Sequence, residues 1–276
     1  MILFPVIASA ILINRHKTSW RLWGIGGLVF IISQLGHIPF NSVAGKILNN
    51  TTLVQLDNHN QVLFNAIFLG LSAGIWEETS RYFAYRFWLK EPKKWNEGLA
   101  LGLGHGSMES ILLGLLALYV LLQMVAFRDI DLTNIIPLSK LESTYQAINQ
   151  YWDANWSVSI LGFVERMFTI PIQVFLSLLI VLIFKNNKIF LLFVAIILHA
   201  AVDAVAVLLI TYTNVNITEG FIAIISISSI VLIIHLKDKN YEYVNIENKT
   251  DIVLNDKEKN LELDDSSLDI NDTKYY

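Results

Sequence analysis

Four segments of an otherwise apolar chain carry acids, histidines and arginines at helical spacing. The first is EETSR, in which Arg81 lies three residues after Glu78 and four after Glu77. On a helix, Arg81 can therefore pair with either carboxylate. The carboxylate that is left without this cation is the candidate general base for proton transfer. The alternative is a solvated helix end on the cytoplasmic side.

The second segment is GLGHGSMES, in which His105 and Glu109 lie one turn apart on the same helical face. Its glycines allow another backbone to approach closely, either a neighbouring helix or a substrate chain. We assign His105 and Glu109 to catalysis, with a structural polar clamp as the alternative. Gly102, Gly104 and Gly106 are assigned to substrate binding.

The third and fourth segments lie further along the chain. Glu165 and Arg166 are adjacent in VERMFTIPIQ, so they do not face each other on a helix and are predicted to form a structural polar pair with other helices. Pro171 is predicted to kink this helix. His199 and Asp203 lie one turn apart in HAAVD. The carboxylate can fix the tautomer of the imidazole, or the pair can form a proton relay in a transporter.

A charge at the centre of a bilayer costs at least about 2.5–3.5 kcal/mol, so a chain that keeps several has a use for them. If the four polar faces converge, they enclose a hydrated pocket. Its members would be Glu77, Glu78, Arg81, His105, Glu109, Glu165, His199 and Asp203. Such groups can activate water, directly or through zinc, or can conduct protons or cations. Gln34, His37 and His235 lie near segment ends, and we attribute them to contact with water.

The composition indicates that lipid surrounds these groups. The 276 residues are 54% hydrophobic and 16% charged, with a mean hydropathy of +0.50. Soluble domains contain about 25% charged residues. The chain has no cysteine, which excludes disulfides, a thiol nucleophile and cysteine-ligated zinc. Because the chain is so apolar, membrane lipid is a predicted partner. Nucleic acid is not, because a nucleic-acid binder needs a basic body.

The fold class predicted is an all-α, polytopic membrane bundle of about seven transmembrane helices. A span needs about 20 apolar residues. The candidate segments are Met1–Asn14, Leu22–Phe40, Val62–Trp76, Gly98–Phe127, Ser157–Phe184, Ile189–Tyr212 and Gly220–Leu236. The first is short, and it is either a truncated transmembrane helix, an interfacial helix or a signal peptide. The third is predicted to continue as a helix through the charged residues to Trp88.

The loop charges predict the orientation, because cytoplasmic loops are enriched in Lys and Arg. One set of alternate loops carries eleven such residues and the other carries three. The N-terminus is therefore predicted outside and the C-terminus in the cytoplasm. The many Ile, Asn and Lys residues indicate an AT-rich bacterial genome, so the membrane is predicted to be a bacterial plasma membrane. Residues 128–156 are predicted to be an outer surface loop with a membrane-anchored edge, with a substrate-gating loop as the alternative. Residues 1–236 are predicted to form the membrane domain, and residues 237–276, with a net charge of −5, a disordered acidic tail.

The ordered set EE-x-x-R, GLGHG-x-x-E, ER and H-x-x-x-D resembles the YhfC family of bacterial membrane proteins, which are classed as intramembrane proteases. That family is related to the CAAX-protease and bacteriocin-processing (CPBP) superfamily and to the PrsW proteases. The resemblance covers residues 1–236 and implies that Glu77 activates the hydrolytic water with the help of His105. It also implies that His199 and Asp203 stabilise the oxyanion, and that Glu78 and Arg81 orient the site.

The resemblance leaves the cofactor open: the family pattern implies a further His near the position of Gln173, and zinc is possible with His105 and His199 as ligands. The function we expect is an intramembrane endopeptidase of the glutamic or metallo type, acting on a peptide or membrane-protein substrate. The first alternative is a proton- or cation-coupled transporter, which uses the same acids as a relay. The second is a non-catalytic membrane protein that binds a peptide in a degenerate site.

Overall fold

Helices joined by turns make up residues 1–49 and 57–237, which are the residues that this computed structural model describes. The all-α bundle is therefore confirmed for these residues. The helices are α1 (Leu3–Arg15), α2 (Trp20–Asn49), α3 (Asn58–Phe87), α4 (Trp95–Phe127), α5 (Leu138–Asp153), α6 (Ser157–Asn186), α7 (Phe190–Tyr212) and α8 (Val215–Lys237).

Five of these helices, α2, α4, α6, α7 and α8, are long and apolar enough to cross a membrane. Their outward side chains are apolar: Leu122 is 59% exposed, Ile197 63% and Val231 60%. An apolar exterior around a polar interior fits a lipid environment. The helix α1 has 13 residues, and α3 is long enough but carries the charged EETSR segment. The count of seven spans and their orientation stay predictions.

The prediction that the third segment continues through its charged residues is confirmed, because α3 runs unbroken from Asn58 to Phe87. The side chain of Asp57 caps its start by accepting a hydrogen bond from the Asn60 backbone N–H at 2.9 Å. The charges of EETSR therefore lie on a helix that also packs against α2, α6 and α7.

The connection between α4 and α6 is not the loop predicted from the sequence. It contains a 3₁₀ turn, Leu132–Asn134, and the 16-residue helix α5. The side chain of Ile148 is buried, and the Tyr145 hydroxyl accepts a hydrogen bond from the Leu132 backbone N–H at 3.2 Å. The prediction was wrong because α5 is polar on average and buries only a narrow apolar stripe.

Close helix contacts at glycines bring the polar residues together. On α3, the Cβ of an alanine at Gly70 would lie 2.5 Å from the Ala200 carbonyl oxygen, and one at Gly74 would lie 2.6 Å from that of Ile196. Two glycines four residues apart thus let α7 approach α3 at backbone distance. This contact sets His199 beside the charged end of α3.

A reciprocal glycine contact joins α2 and α4. A Cβ on Gly26 would overlap the carbonyl oxygen of Leu101, and a Cβ on Gly104 would overlap that of Trp23. Because both obstacles are backbone atoms, neither can move aside without separating the two helices. The residues Gly26 and Gly104 therefore fix how closely α2 and α4 pack.

Gly104→Ala is expected to destabilise the protein by about 1–3 kcal/mol, the usual cost of overpacking a well-packed interior. The matched control is Gly24→Ala on α2, where an added Cβ has nothing within 4 Å. The measurement is thermal unfolding in detergent. A midpoint for Gly104→Ala equal to that of Gly24→Ala would contradict the packing role of Gly104.

The chain divides into a unit from Met1 to Ile233 and a unit from Ile234 to Tyr276. Only residues 234–237 of the second unit are described, and they are helical. The predicted disordered tail, residues 237–276, lies outside the described residues from position 238 onward. It stays a prediction.

Candidate active site

Arg81 forms its ion pair with Glu78, the second glutamate of the EETSR segment. Its Nη1 donates to both oxygens of Glu78, at 2.8 and 2.7 Å, and its Nη2 donates to Gln173 Oε1 at 2.8 Å. The side chains of Arg81 and Glu78 are both completely buried. Glu78 and Arg81 therefore form a paired unit, which excludes the alternative of a solvated helix end.

Glu77 is the carboxylate left without an arginine of its own, and it faces both imidazoles. Its Oε2 lies 3.0 Å from His105 Nε2 and 3.8 Å from His199 Nε2. The side chain of Glu77 is 8% exposed and that of His105 is completely buried. The predicted meeting of α3, α4 and α7 is thus observed around one carboxylate oxygen.

His199 is oriented mainly by Glu78 and less by Asp203. Its Nδ1 lies 2.8 Å from Glu78 Oε1, and its Nε2 lies 3.6 Å from Asp203 Oδ2. The first contact has hydrogen-bond length and the second does not. The structure therefore assigns tautomer control of His199 to Glu78, a partner that the HAAVD spacing could not indicate. Asp203 lies at the edge of the cluster, with 42% of its side chain exposed.

Arg166, one member of the predicted structural polar pair on α6, forms an ion pair with Glu109 on α4. Arg166 Nη1 donates to Glu109 Oε1 at 2.7 Å, and Gln173 Nε2 donates to Glu109 Oε2 at 3.0 Å. The predicted pairing of Arg166 across helices is thus confirmed. The prediction that Glu165 and Arg166 do not meet is wrong, because Arg166 Nη2 also donates to Glu165 Oε1.

His105 and Glu109 lie one turn apart on α4, but they have different hydrogen-bond partners. His105 turns to Glu77, while Glu109 turns to Arg166 and Gln173. Gln173 bonds both Arg81 and Glu109, so it links the two ion pairs. It therefore supports the cluster from α6, at the place where the family pattern implies a His.

A cavity of about 140 Å³ lies against this cluster. Its polar lining comes from Glu77, Glu109, Glu165, Arg166, Thr169, Gln173, His199 and Asp203. Liquid water occupies about 30 Å³ per molecule, so the cavity has room for several waters next to Glu77. A pocket is thus present where the polar faces converge, and five of the eight predicted members line it. Glu78, Arg81 and His105 do not, because they are buried in contacts with other side chains. The apolar part of the lining includes Ile172, Leu176 and Val202.

One partner of Glu77 was missed by the sequence analysis. Gln34 Nε2, on α2, donates to Glu77 Oε1 at 3.0 Å, and His37 Nδ1 lies 3.3 Å from Gln34 Oε1. Attributing Gln34 and His37 to water contact was wrong, because α2 extends to Asn49 and places both in its middle. In the sequence, this contact was indicated only by two hydrogen-bonding side chains that lie one turn apart in a candidate span.

The glycines of α4 face other helices. An added Cβ on Gly102 would lie 2.5 Å from Val174 Cα, and one on Gly106 would lie 3.3 Å from Ile170 Cα, both on α6. Gly104 faces α2. These glycines could have been approached by a neighbouring helix or by a substrate chain. The structure shows neighbouring helices beside Gly102, Gly104 and Gly106. Their assignment to substrate binding therefore receives no support.

The donor types in the cluster are those that zinc takes in hydrolases. Among residues 1–49 and 57–237, however, no three or more His, Asp or Glu side chains are placed to hold one ion. His105 Nε2 is bonded directly to Glu77, and His199 Nδ1 to Glu78. These side chains form a hydrogen-bonded cluster, and their present spacing does not gather three ligands around one ion.

Comparison with known proteins gives two matches. The family described as "YhfC intramembrane metalloprotease" matches residues 1–223. The "Uncharacterized membrane protein YhfC" of Bacillus subtilis (strain 168) is 31% identical over 197 residues, which are 71% of this chain and 75% of that protein. No solved structure matches the chain.

Proposed function

Since the chain belongs to the YhfC intramembrane metalloprotease family, we propose that it is an intramembrane endopeptidase that hydrolyses a peptide bond of a membrane-associated substrate. One observation carries the proposal. Glu77, a buried carboxylate without its own arginine, faces two imidazoles beside a cavity with room for water. A general base must lie within hydrogen-bond reach of the water that it deprotonates. Glu77 lines the cavity in which that water would lie.

In the reaction proposed, Glu77 takes a proton from a water molecule in the cavity. The water oxygen bonds to the carbonyl carbon of the peptide, and the carbonyl oxygen becomes an oxyanion. Collapse of this intermediate breaks the C–N bond, and the proton held by Glu77 passes to the leaving nitrogen. The hydrogen bond between His105 and Glu77 orients the carboxylate and stabilises its charge.

His199 is the residue proposed to stabilise the oxyanion. Its Nδ1 is held by Glu78, so in the imidazolium form its Nε2–H points toward Glu77 and the cavity. Preorganised donors of this kind contribute a large share of rate acceleration in sites shielded from water. Asp203, as a carboxylate, has no proton to donate. Its carboxylate lies 3.6 Å from His199 Nε2, so its proposed role is to stabilise the positive charge of the imidazolium and not to bind the oxyanion directly.

The family description names a metalloprotease, whereas the placement of the described side chains does not fit a metal. We therefore expect zinc well below one equivalent per chain in protein purified without chelators, because no three His, Asp or Glu side chains among the described residues are placed to hold one ion. Elemental analysis of the wild type, His105→Ala and His199→Ala tests this. About one zinc per chain, lost in both variants, would contradict it and place an ion between the imidazoles.

The proposal is tested by expressing the wild type, Glu77→Gln or Glu142→Gln in bacteria and quantifying new N-termini of membrane proteins by mass spectrometry. Glu142 lies on α5, outside the cluster, and is exposed. We expect a set of termini that the wild type and Glu142→Gln produce and Glu77→Gln does not. Identical termini in all three strains would contradict the proposal.

A further inference from the structure

Glu77 has two carboxylate oxygens with different surroundings. Oε2 faces His105 and His199, while Oε1 accepts a hydrogen bond from Gln34 Nε2 at 3.0 Å. Hydrogen bonds to an ionised group are stronger than those between neutral groups. The contact with α2 therefore fixes the rotation of the carboxylate, so that its other oxygen stays turned toward the imidazoles.

Gln34 is in turn fixed by His37, one turn further along α2. Because an ionised carboxylate can only accept, Gln34 presents its N–H to Glu77 and its oxygen to His37. The nitrogen that faces this oxygen is His37 Nδ1, at 3.3 Å, so Nδ1 carries the proton and donates it to Gln34 Oε1. On the other side of the ring, Nε2 lies 3.0 Å from Ser72 Oγ and 2.8 Å from Asn41 Nδ2, which hold the imidazole in place.

The geometry points to Gln34 and His37 as positioning residues of the proposed hydrolysis: Gln34 orients the carboxylate of Glu77, and His37 orients the amide of Gln34. This inference rests on the proposed function. Neither side chain is among those that line the cavity, so both act through Glu77 and not on the substrate. A base displaced by about 1 Å can cost on the order of 10²-fold in rate, so orientation alone carries a large effect.

The kinetic test uses a synthetic transmembrane peptide that carries a cleavage site found by N-terminal profiling. Gln34→Leu is expected to lower kcat by about 10- to 100-fold with KM unchanged, because only the orientation of the base is lost. His37→Leu is expected to have the same effect. His37→Asn is expected to restore most of the rate, because the asparagine amide can donate from nearly the position of Nδ1.

The order of action is tested with the double variant. Because His37 acts only through Gln34, the variant with both leucines should be no slower than Gln34→Leu alone. The matched control is Gln123→Leu on α4, which removes a glutamine that donates to the Tyr119 hydroxyl far along the chain from the cluster. This control should leave kcat unchanged. A multiplied loss in the double variant would overturn the inference.

A spectroscopic test does not depend on cleavage. In protein labelled with ¹⁵N-histidine in lipid bilayers, the His105 ring signal is assigned by its loss in His105→Gln. Gln34→Leu should shift or broaden this signal because Glu77 turns, whereas Gln123→Leu should not. A rate or a His105 signal that Gln34→Leu leaves unchanged overturns the inference. If the wild type cleaves nothing, the proposed function fails and the signal alone decides whether Gln34 orients Glu77.

Discussion

Glu77→Gln is expected to lower the first-order rate of peptide cleavage by about 10²–10⁴-fold, the usual contribution of a general base. The glutamine keeps the size of the side chain and can still receive the Gln34 N–H on its oxygen, but it cannot take a proton from water. KM should stay nearly constant, because the lost interaction belongs to the transition state. The measurement is the cleavage rate of one identified membrane peptide at saturating and at limiting concentration.

The control for this variant is Glu142→Gln, the same substitution on the exposed helix α5. A rate for Glu77→Gln within a few-fold of the wild type would remove Glu77 from the role of base. A rise in KM at constant kcat would instead make Glu77 a substrate contact. Both results would contradict the mechanism proposed.

Arg81→Met is expected to destabilise the fold by about 3–5 kcal/mol, because it leaves the carboxylate of Glu78 buried without its cation. Arg81 and Glu78 are both completely buried, and Arg81 also holds Gln173. Thermal unfolding in detergent measures the effect. The double variant Glu78→Gln/Arg81→Met should recover most of the lost stability, because it removes the unpaired charge.

The matched control is Arg86→Met, on the same helix. Arg86 pairs with Glu91 where the two side chains are 48% and 33% exposed. Exposed ion pairs contribute only about 0–1 kcal/mol. Equal unfolding midpoints for Arg81→Met and Arg86→Met would contradict the account of Arg81 as the buried counter-ion of Glu78.

The polar residues of the site could be predicted because ionisable groups are rare in apolar spans and each stands out. The spacing of EETSR showed that one carboxylate would be left without the arginine, but i,i+3 and i,i+4 pairs are nearly equivalent on a helix. Only the packing of α6, which places Gln173 on Arg81, shows that the arginine belongs to Glu78. The helical membrane bundle followed from composition and segment length.

Most of the particular partners across helices could not be predicted from spacing, because spacing gives only neighbours along one helix. His199 looked like a partner of Asp203 but bonds Glu78 on α3. Gln34 carries no charge and was attributed to contact with water, although it donates to Glu77. The contact at Gly70 and Gly74 that brings α7 against α3 also depends on which faces of two distant segments meet. The helix α5 was missed because its polar composition resembles that of a loop.

The central claim is that the cluster around Glu77 hydrolyses peptide bonds within a membrane. The most direct measurement is made on purified protein in liposomes that also contain a bacterial membrane-protein fraction, with new N-termini identified by mass spectrometry. We expect termini within or beside apolar segments that appear with the wild type and are absent with Glu77→Gln. Identical peptides from both proteins, together with a proton flux across the liposome membrane that Glu77→Gln abolishes, would contradict it and identify a transporter.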